Sequence, residues 1–282
     1  MRTEPWRSLI RLLSDESRAG DITLGQRLLL EQRHLNALAH RRTSRALRRR
    51  KPAERTPSDV LDTVLEHEPG WDPYRVTALQ HRAELERLVR FLAGREPRTV
   101  LEIGTFQGGT LYVWVRALDS TRHVVSVDQP VWNEMTHRRR RDLYAAFSEE
   151  TRIDVVFGDS HDGTTYEEVA GSMGGEGSVD LLFVDGDHSY EGVRRDFEMY
   201  RELVGEGGIV AFHDIRRHAR DRAEKEARLR RVETLRESQV SVGLERWNGV
   251  STFWRELRDE FSTREFLTHP EQMGKGIGVV EL

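Results

Sequence analysis

The chain has no cysteine among its 282 residues. That removes disulfides, thiolate-bound zinc and thiol nucleophiles, and it leaves the redox compartment unreadable from thiols. A long apolar run is also missing. The N-terminal cluster Leu9, Ile10, Leu12 and Leu13 is broken by Arg11 and followed by Asp15 and Glu16, too short and too charged for a signal peptide or a membrane span. A cytoplasmic location is therefore the expectation. Neither sign of charge prevails: 44 Lys and Arg against 48 Asp and Glu give a net charge of −4, which argues against nucleic acid as the ligand. No internal repeat is visible. With 37% hydrophobic and 33% charged residues, the length suits one large domain, or a domain with a helical appendage, under a broad solvated surface.

What the chain does have is alternation. From Arg98 onward, apolar runs of strand length (Thr99–Ile103, His123–Val127, Ile153–Phe157, Val179–Val184, Gly208–Phe212) recur between helical patterns at Thr110–Leu118, Asn133–Glu149, Tyr166–Gly171 and Tyr190–Val204. Several runs are rich in Val and Ile and nearly continuous, as strands buried on both faces should be. Such a series predicts a parallel sheet with right-handed crossovers. A helix at Val250–Phe261 and two short stretches, Glu265–Leu267 and Ile277–Val280, close the sheet as a hairpin. The expected fold is α/β: a Rossmann-like, doubly wound, mostly parallel seven-stranded sheet with a C-terminal antiparallel hairpin and an N-terminal helical extension.

Residues 1–57 read as that extension and a linker, and 58–282 as the domain, with a helical lead-in at 58–97, a core at 98–214, a charged insertion at 215–246 and a closing segment at 247–282. Trp6, Leu9, Ile10 and Leu13 have helical spacing, which suits docking on the domain or on a second subunit and only weakly a membrane surface. Leu24, Leu28, Leu35 and Leu38 fall near heptad spacing with no apolar partner nearby, so a homo-oligomer packed through these helices is expected. The basic run Arg41–Lys51 reads as a solvated helix end; an anionic partner is the sharper alternative. Ser58 is the expected N-cap of a helix over Asp59–His67 that Pro69-Gly70 stops. The insertion is thick with Arg and Glu and reads as an exposed helix or as a lid suited to an anionic acceptor.

Open parallel sheets bind ligands beyond the carboxyl ends of their strands. Each strand here delivers an acid or a histidine to that rim: Glu102 and Gly104, Asp128, Gly158-Asp159-Ser160, Asp185-Gly186-Asp187-His188, and His213-Asp214. The loop Gly104-Thr105-Phe106-Gln107-Gly108-Gly109 joins a strand to a helix N-terminus, a cradle for a nucleotide-like ligand. Phe106 stands where a dinucleotide fingerprint needs its second glycine, which disfavours a pyrophosphate. Asp128 suits a ribose diol, and Asp159 and Ser160 suit an adenine edge.

On Val100–Gly109, Phe183–Asp196 and Gly207–Asp214, residues 98–214 resemble the class I S-adenosylmethionine-dependent methyltransferases, in particular the branch of small-molecule and sugar O-methyltransferases and cephalosporin-hydroxylase-like proteins. Gly249–Trp254 also fits the segment before the last hairpin of that group; residues 1–97 carry no resemblance. The resemblance implies that Glu102, Gly104 and Thr105 lie against the methionine part of S-adenosyl-L-methionine, that Asp128 holds the ribose, that Gly158, Asp159 and Ser160 flank the adenine, and that Gly108 and Asp185 also belong to the cofactor site. It implies a divalent cation, Mg²⁺ or another, on Asp185, with His213 and Asp214 where relatives often place Asp-Asn. The expected reaction is transfer of a methyl group to a hydroxyl of a small, anionic or sugar-containing acceptor, with His188 or His213 taking the proton and Asp185 at the centre. One alternative is an iron-dependent oxygenase using His188, His213 and a carboxylate as a facial triad. Another is a non-catalytic, cofactor-binding assembly protein.

Overall fold

The computed structural model describes residues 33–130, 133–217 and 248–282. The expected helix at Trp6–Leu13, the beginning of the pattern from Leu24 and nearly all of the charged insertion lie outside the described residues.

One sheet holds β1 (Thr99–Ile103), β2 (His123–Asp128), β3 (Arg152–Phe157), β4 (Val179–Val184), β5 (Val204–His213), β6 (Thr263–Phe266) and β7 (Ile277–Glu281). Their order is β3-β2-β1-β4-β5-β7-β6, parallel through β5, with β7 antiparallel to both β5 and β6. The expected α/β fold and its closing hairpin are thus present. After β3 the chain returns to place β4 beside β1, so the switch in strand order, where such sheets bind ligands, falls between β1 and β4.

The α-helices among the described residues are α1 (Arg33–Arg50), α2 (Pro57–Asp62, continued by a π-helical turn over Thr63–His67), α3 (Arg82–Ala93), α4 (Gly109–Ala117), α5 (Glu134–Ala145), α6 (Gly163–Met173), α7 (Tyr190–Tyr200) and α8 (Gly249–Glu260). Alternate strand residues feed two cores. Val100, Val124, Leu181, Phe183 and Ala211 pack with α3, α4 and α5 on one face. Leu101, Ile103, Val125, Leu182, Val210 and Phe212 pack with α6, α7 and α8 on the other.

Several boundaries differ from expectation for identifiable reasons. Thr56, not Ser58, caps α2: its hydroxyl accepts from the Asp59 amide, Asp59 reaches back to the Thr56 amide at 2.9 Å, and Pro57 occupies the first helical position. Helix α5 stops at Ala145 rather than Glu149, because the Ser148 hydroxyl accepts from the amides of Glu150 and Thr151 and turns the chain toward β3. In α1, Asn36, Ala39, Thr43 and Leu47 form one buried stripe. This stripe faces the chain's own domain, while Leu38, one of the leucines of the N-terminal pattern, is left 49% exposed. Asn36 Nδ2 donates to Thr136 Oγ1 at 3.1 Å, Tyr74 OH donates to Asn36 Oδ1 at 2.6 Å, and Arg139 bonds the same oxygen. Such a network pins α1 to α5 because each buried polar atom in it needs its partner. The basic end of α1 is mostly exposed, with Arg42 stacked 3.9 Å over the Trp71 ring.

Candidate active site

The turn after β1 is built by contacts that only glycine permits. Gly104 has φ +98°, and a Cβ there would collide with the Asp185 carbonyl. Its amide donates to Val127 O at 2.8 Å, and Asp185 N donates to Ile103 O at 2.8 Å. The loops after β1, β2 and β4 are therefore laced together at the switch point. Gly108 has φ +72° and caps α4, with Tyr144 where its Cβ would be. Phe106 takes φ +46° without being glycine and is half exposed. A bulky residue in the left-handed region is strained, and such strain persists only where the surroundings over-determine it. Here Arg140 bonds the Phe106 carbonyl and the Asp128 carboxylate accepts from the Phe106 amide.

Arg140 belongs to a run, His137–Arg141, that reads in sequence as a solvated helix face. The structure corrects this: Arg140 is only 2% exposed and stands 4.0 Å from Asp128 Oδ2. Burial raises the Asp128 pKa to about 6, against the opposing pull of Arg140. Beneath the loop, Glu102 is fully buried and accepts from Trp114 Nε1 at 2.9 Å and Ser126 Oγ at 2.5 Å. Thr105 Oγ1 joins this chain at 2.6 Å from Ser126 Oγ. Both side chains expected against the cofactor thus support the turn from below. Desolvation lifts the Glu102 pKa to about 7, despite the hydrogen bonds that oppose the shift.

At the end of β3, Gly158 packs on Thr165, Asp159 is exposed, and Tyr200 OH donates to the Ser160 carbonyl at 2.9 Å. The Ser160 hydroxyl and His161 Nε2, the latter at 3.1 Å, engage the fully buried Asp196 of α7. Asp187, by contrast, bonds the Ser189 amide just before α7, the helix-capping role available to a polar strand end.

The strongest convergence is at the ends of β4 and β5. Asp185 Oδ1 lies 3.0 Å from His213 Nδ1 and 3.5 Å from His188 Nε2, and His188 Nδ1 lies 3.1 Å from Asp214 Oδ2. Asp214 is held at φ +62°. One ligand atom from each of Asp185, His188 and Asp214 falls within 4.8 Å of the others. His213 stands behind Asp185, and its Nε2 is buried without a hydrogen-bond partner among the described residues. Burial alone would lower both imidazole pKa values. The two carboxylates outweigh it, taking His188 up to about 10 and moving His213 upward as well. Burial pushes the carboxylates the other way, yet the imidazoles hold both Asp185 and Asp214 below the usual range.

Two kinds of chemistry suit this cluster. Two carboxylates and one imidazole, within a shared sphere, fit a divalent cation in donor type and in charge. A histidine whose Nδ1 is oriented by a carboxylate and whose Nε2 has no hydrogen-bond partner among the described residues has the donor arrangement of a general base. The facial-triad alternative finds no support, since the architecture is an α/β sheet and His213 is turned onto Asp185; the non-catalytic alternative finds none either. Sequence reasoning missed Gln80, whose Nε2 donates to Asp185 Oδ2 at 2.7 Å. Leu79 shares helical spacing with Leu85, Leu88, Val89 and Leu92, yet the helix begins only at Arg82. No local signal marks Gln80, because the partner of its amide lies 105 positions away.

Residues 101–215 match the family model described as a methyltransferase domain. Over 120 residues the chain is 25% identical to an uncharacterized protein of Acanthamoeba polyphaga mimivirus, a match covering 43% of this chain and 52% of that one. The chain thus spans about half the length of this curated relative. Similar solved structures include an O-methyltransferase from Bacillus cereus in complex with SAH (15% identity, TM-score 0.49, covering 98% of this chain and 97% of that one). Another is the O-methyltransferase TomG of Streptomyces achromogenes, involved in tomaymycin synthesis and in complex with SAM (17%, 0.48, 86% and 98%). A third is a SAH-bound methyltransferase of Podospora anserina (14%, 0.49, 88% and 94%). The matched stretch, residues 101–215, runs from β1 to just past β5, so this part of the chain is similar to a methyltransferase domain.

Proposed function

We propose that the protein transfers the methyl group of S-adenosylmethionine to a hydroxyl oxygen of a small molecule, assisted by a divalent cation and in the cytoplasm. One observation carries this reading: the Asp185–His213 pair and the Asp185, His188 and Asp214 cluster adjoin the Gly104 turn at the switch point of the sheet. The half-exposed Phe106 backbone, Asp128 and the Gly158–Ser160 turn then line the cofactor from methionine to adenine, with Glu102 and Thr105 acting through the turn they support.

The transfer is an in-line displacement in which a sulfonium and a developing alkoxide neutralise each other, so a water-poor pocket does not oppose it. The chain must align oxygen, methyl carbon and sulfur, and must remove a proton. His213 Nε2 accepts that proton, with the ring fixed through Nδ1 by Asp185. A cation on Asp185, His188 and Asp214 would act as a Lewis acid on the acceptor oxygen. Lys275, whose charge reaches His213 and Asp214, supports an anionic acceptor.

Mass spectrometry of small molecules that copurify with the protein, followed by calorimetry with S-adenosylhomocysteine, tests the reading. Micromolar binding is expected, and no affinity for that ligand would overturn it. Asp185→Ala should abolish transfer while the fold persists; full activity in that variant would remove Asp185 and the cation from the account.

A further inference from the structure

Gln80 is 7% exposed, and one end of its amide is spent on Asp185. The other end, Oε1, is buried and has no hydrogen-bond partner among the described residues. An amide carbonyl shut away from water and left unmet is costly. Its position is not incidental. Residues 76–80 cross the N-terminus of α4, where a Cβ on Gly109 would collide with the Thr77 backbone. The segment continues into α3, whose buried Glu84 accepts from Gln272 Nε2 at 2.6 Å and Gly276 N at 3.0 Å. Gln80 is therefore held against Asp185 by packing on both sides.

We propose that Gln80 supplies a neutral oxygen ligand to the divalent cation held by Asp185, His188 and Asp214. This rests on the cation reading given under Proposed function. Hard cations collect carboxylate and amide carbonyl oxygens together. A carboxamide bonded to one ligand, with its oxygen otherwise unsatisfied, is the kind of group such an ion would engage. Adding a neutral oxygen leaves the site's charge matched to a divalent ion while filling one more coordination position. It also raises the oxygen share of the donor set from two of three to three of four, which favours Mg²⁺ or Mn²⁺ over the softer metals that a histidine-rich set selects. A ligand from the lead-in segment ties the cation to a part of the chain outside the matched methyltransferase core.

The test uses Mn²⁺ as the probe on the full chain, with binding followed by electron paramagnetic resonance and coordinated waters counted from broadening by ¹⁷O-labelled water. Gln80→Met keeps the side chain's length and removes the hard oxygen. It should weaken Mn²⁺ by at least about tenfold, a loss that even an outer partner of a ligand can cause, and should add one coordinated water. Gln80→Glu keeps an oxygen in place and should bind at least as tightly as the wild type without the extra water. It keeps the question answerable if the Met variant fails to fold. Unchanged affinity and hydration in Gln80→Met would overturn the assignment. So would weaker binding with no added water, which marks a residue that only orients Asp185, and so would an extra water in Gln80→Glu. If the wild type binds no Mn²⁺ at all, the cation reading falls and Gln80 with it, whereas S-adenosylhomocysteine calorimetry reports separately on the cofactor.

Discussion

Replacing Glu102 with Gln should make the protein more stable at alkaline pH and change how its stability depends on pH. Glu102 is fully buried, and desolvation raises its pKa from 4.5 to about 7. A raised carboxyl pKa means that the folded state resists ionisation. The favourable contribution is complete below pH 4.5, declines as the pH climbs toward 7, and is gone above it. The loss is of the order of 3 kcal/mol at 1.36 kcal/mol per unit, with no solvent discount because the group is fully buried. Glutamine does not ionise. Its carbonyl can still accept from Trp114 Nε1, and its NH₂ can donate to the Ser126 hydroxyl, which is free to rotate. Urea unfolding of both proteins from pH 4.5 to 8.5 is the assay. The stability difference should grow in favour of Glu102→Gln through this window and level off near pH 8, equivalent to roughly 5–10 °C in Tm for a chain of this size. A difference that stays constant with pH would show that Glu102 does not titrate in the window and would refute the reasoning.

Other substitutions probe separate layers of the same construction. Gly104→Ala should abolish S-adenosylhomocysteine binding in calorimetry, because the new Cβ meets the Asp185 carbonyl at a positive φ. Thr56→Ala removes the hydroxyl half of the α2 capping box, while its amide can still donate to Asp59, and should cost about 1 kcal/mol in urea unfolding, leaving cofactor affinity unchanged. Tyr74→Phe deletes one bond to Asn36 Oδ1 while Arg139 still serves that oxygen, so a similar loss of about 1 kcal/mol is expected. An unaltered unfolding midpoint in either of these last two variants would remove the corresponding contact from the account of stability.

Much of this architecture was legible because it is locally encoded. The five parallel strands are nearly continuous Val, Ile, Leu and Phe, the pattern a sheet covered on both faces imposes, and the polar residue ending each one lands on the rim by topology alone. The glycines at 104 and 108 announced a turn before the reason for each was visible. Helix ends were less legible, since Thr56 and Ser58 are both able caps and only the reciprocal bond from Asp59 separates them. Least legible were groups whose meaning comes from distant partners. Nothing near Arg140 signals burial in a run of four arginines; its partners are Asp128 and Phe106. Gln80 gives no sign that it touches Asp185, and the leucines of the N-terminal pattern do not reveal that Asn36 and Thr43 mark the inward face. The geometry also separated two histidines that look equivalent in sequence, placing His188 between two carboxylates and His213 behind one.

The bonds made by Glu84 bear on how the protein is made. Its carboxylate accepts from Gln272 and from the Gly276 amide, 188 and 192 residues later in the chain, and Gln80 reaches Asp185 across 105 positions. During synthesis α3 emerges long before these partners exist. A ribosome-held chain lacking residues 268–276 has an acidic side chain whose burial would leave it without the groups that satisfy it. The rim should therefore mature late, after the final hairpin is released, and contacts of such long separation slow folding and lengthen the interval of exposure to chaperones and proteases.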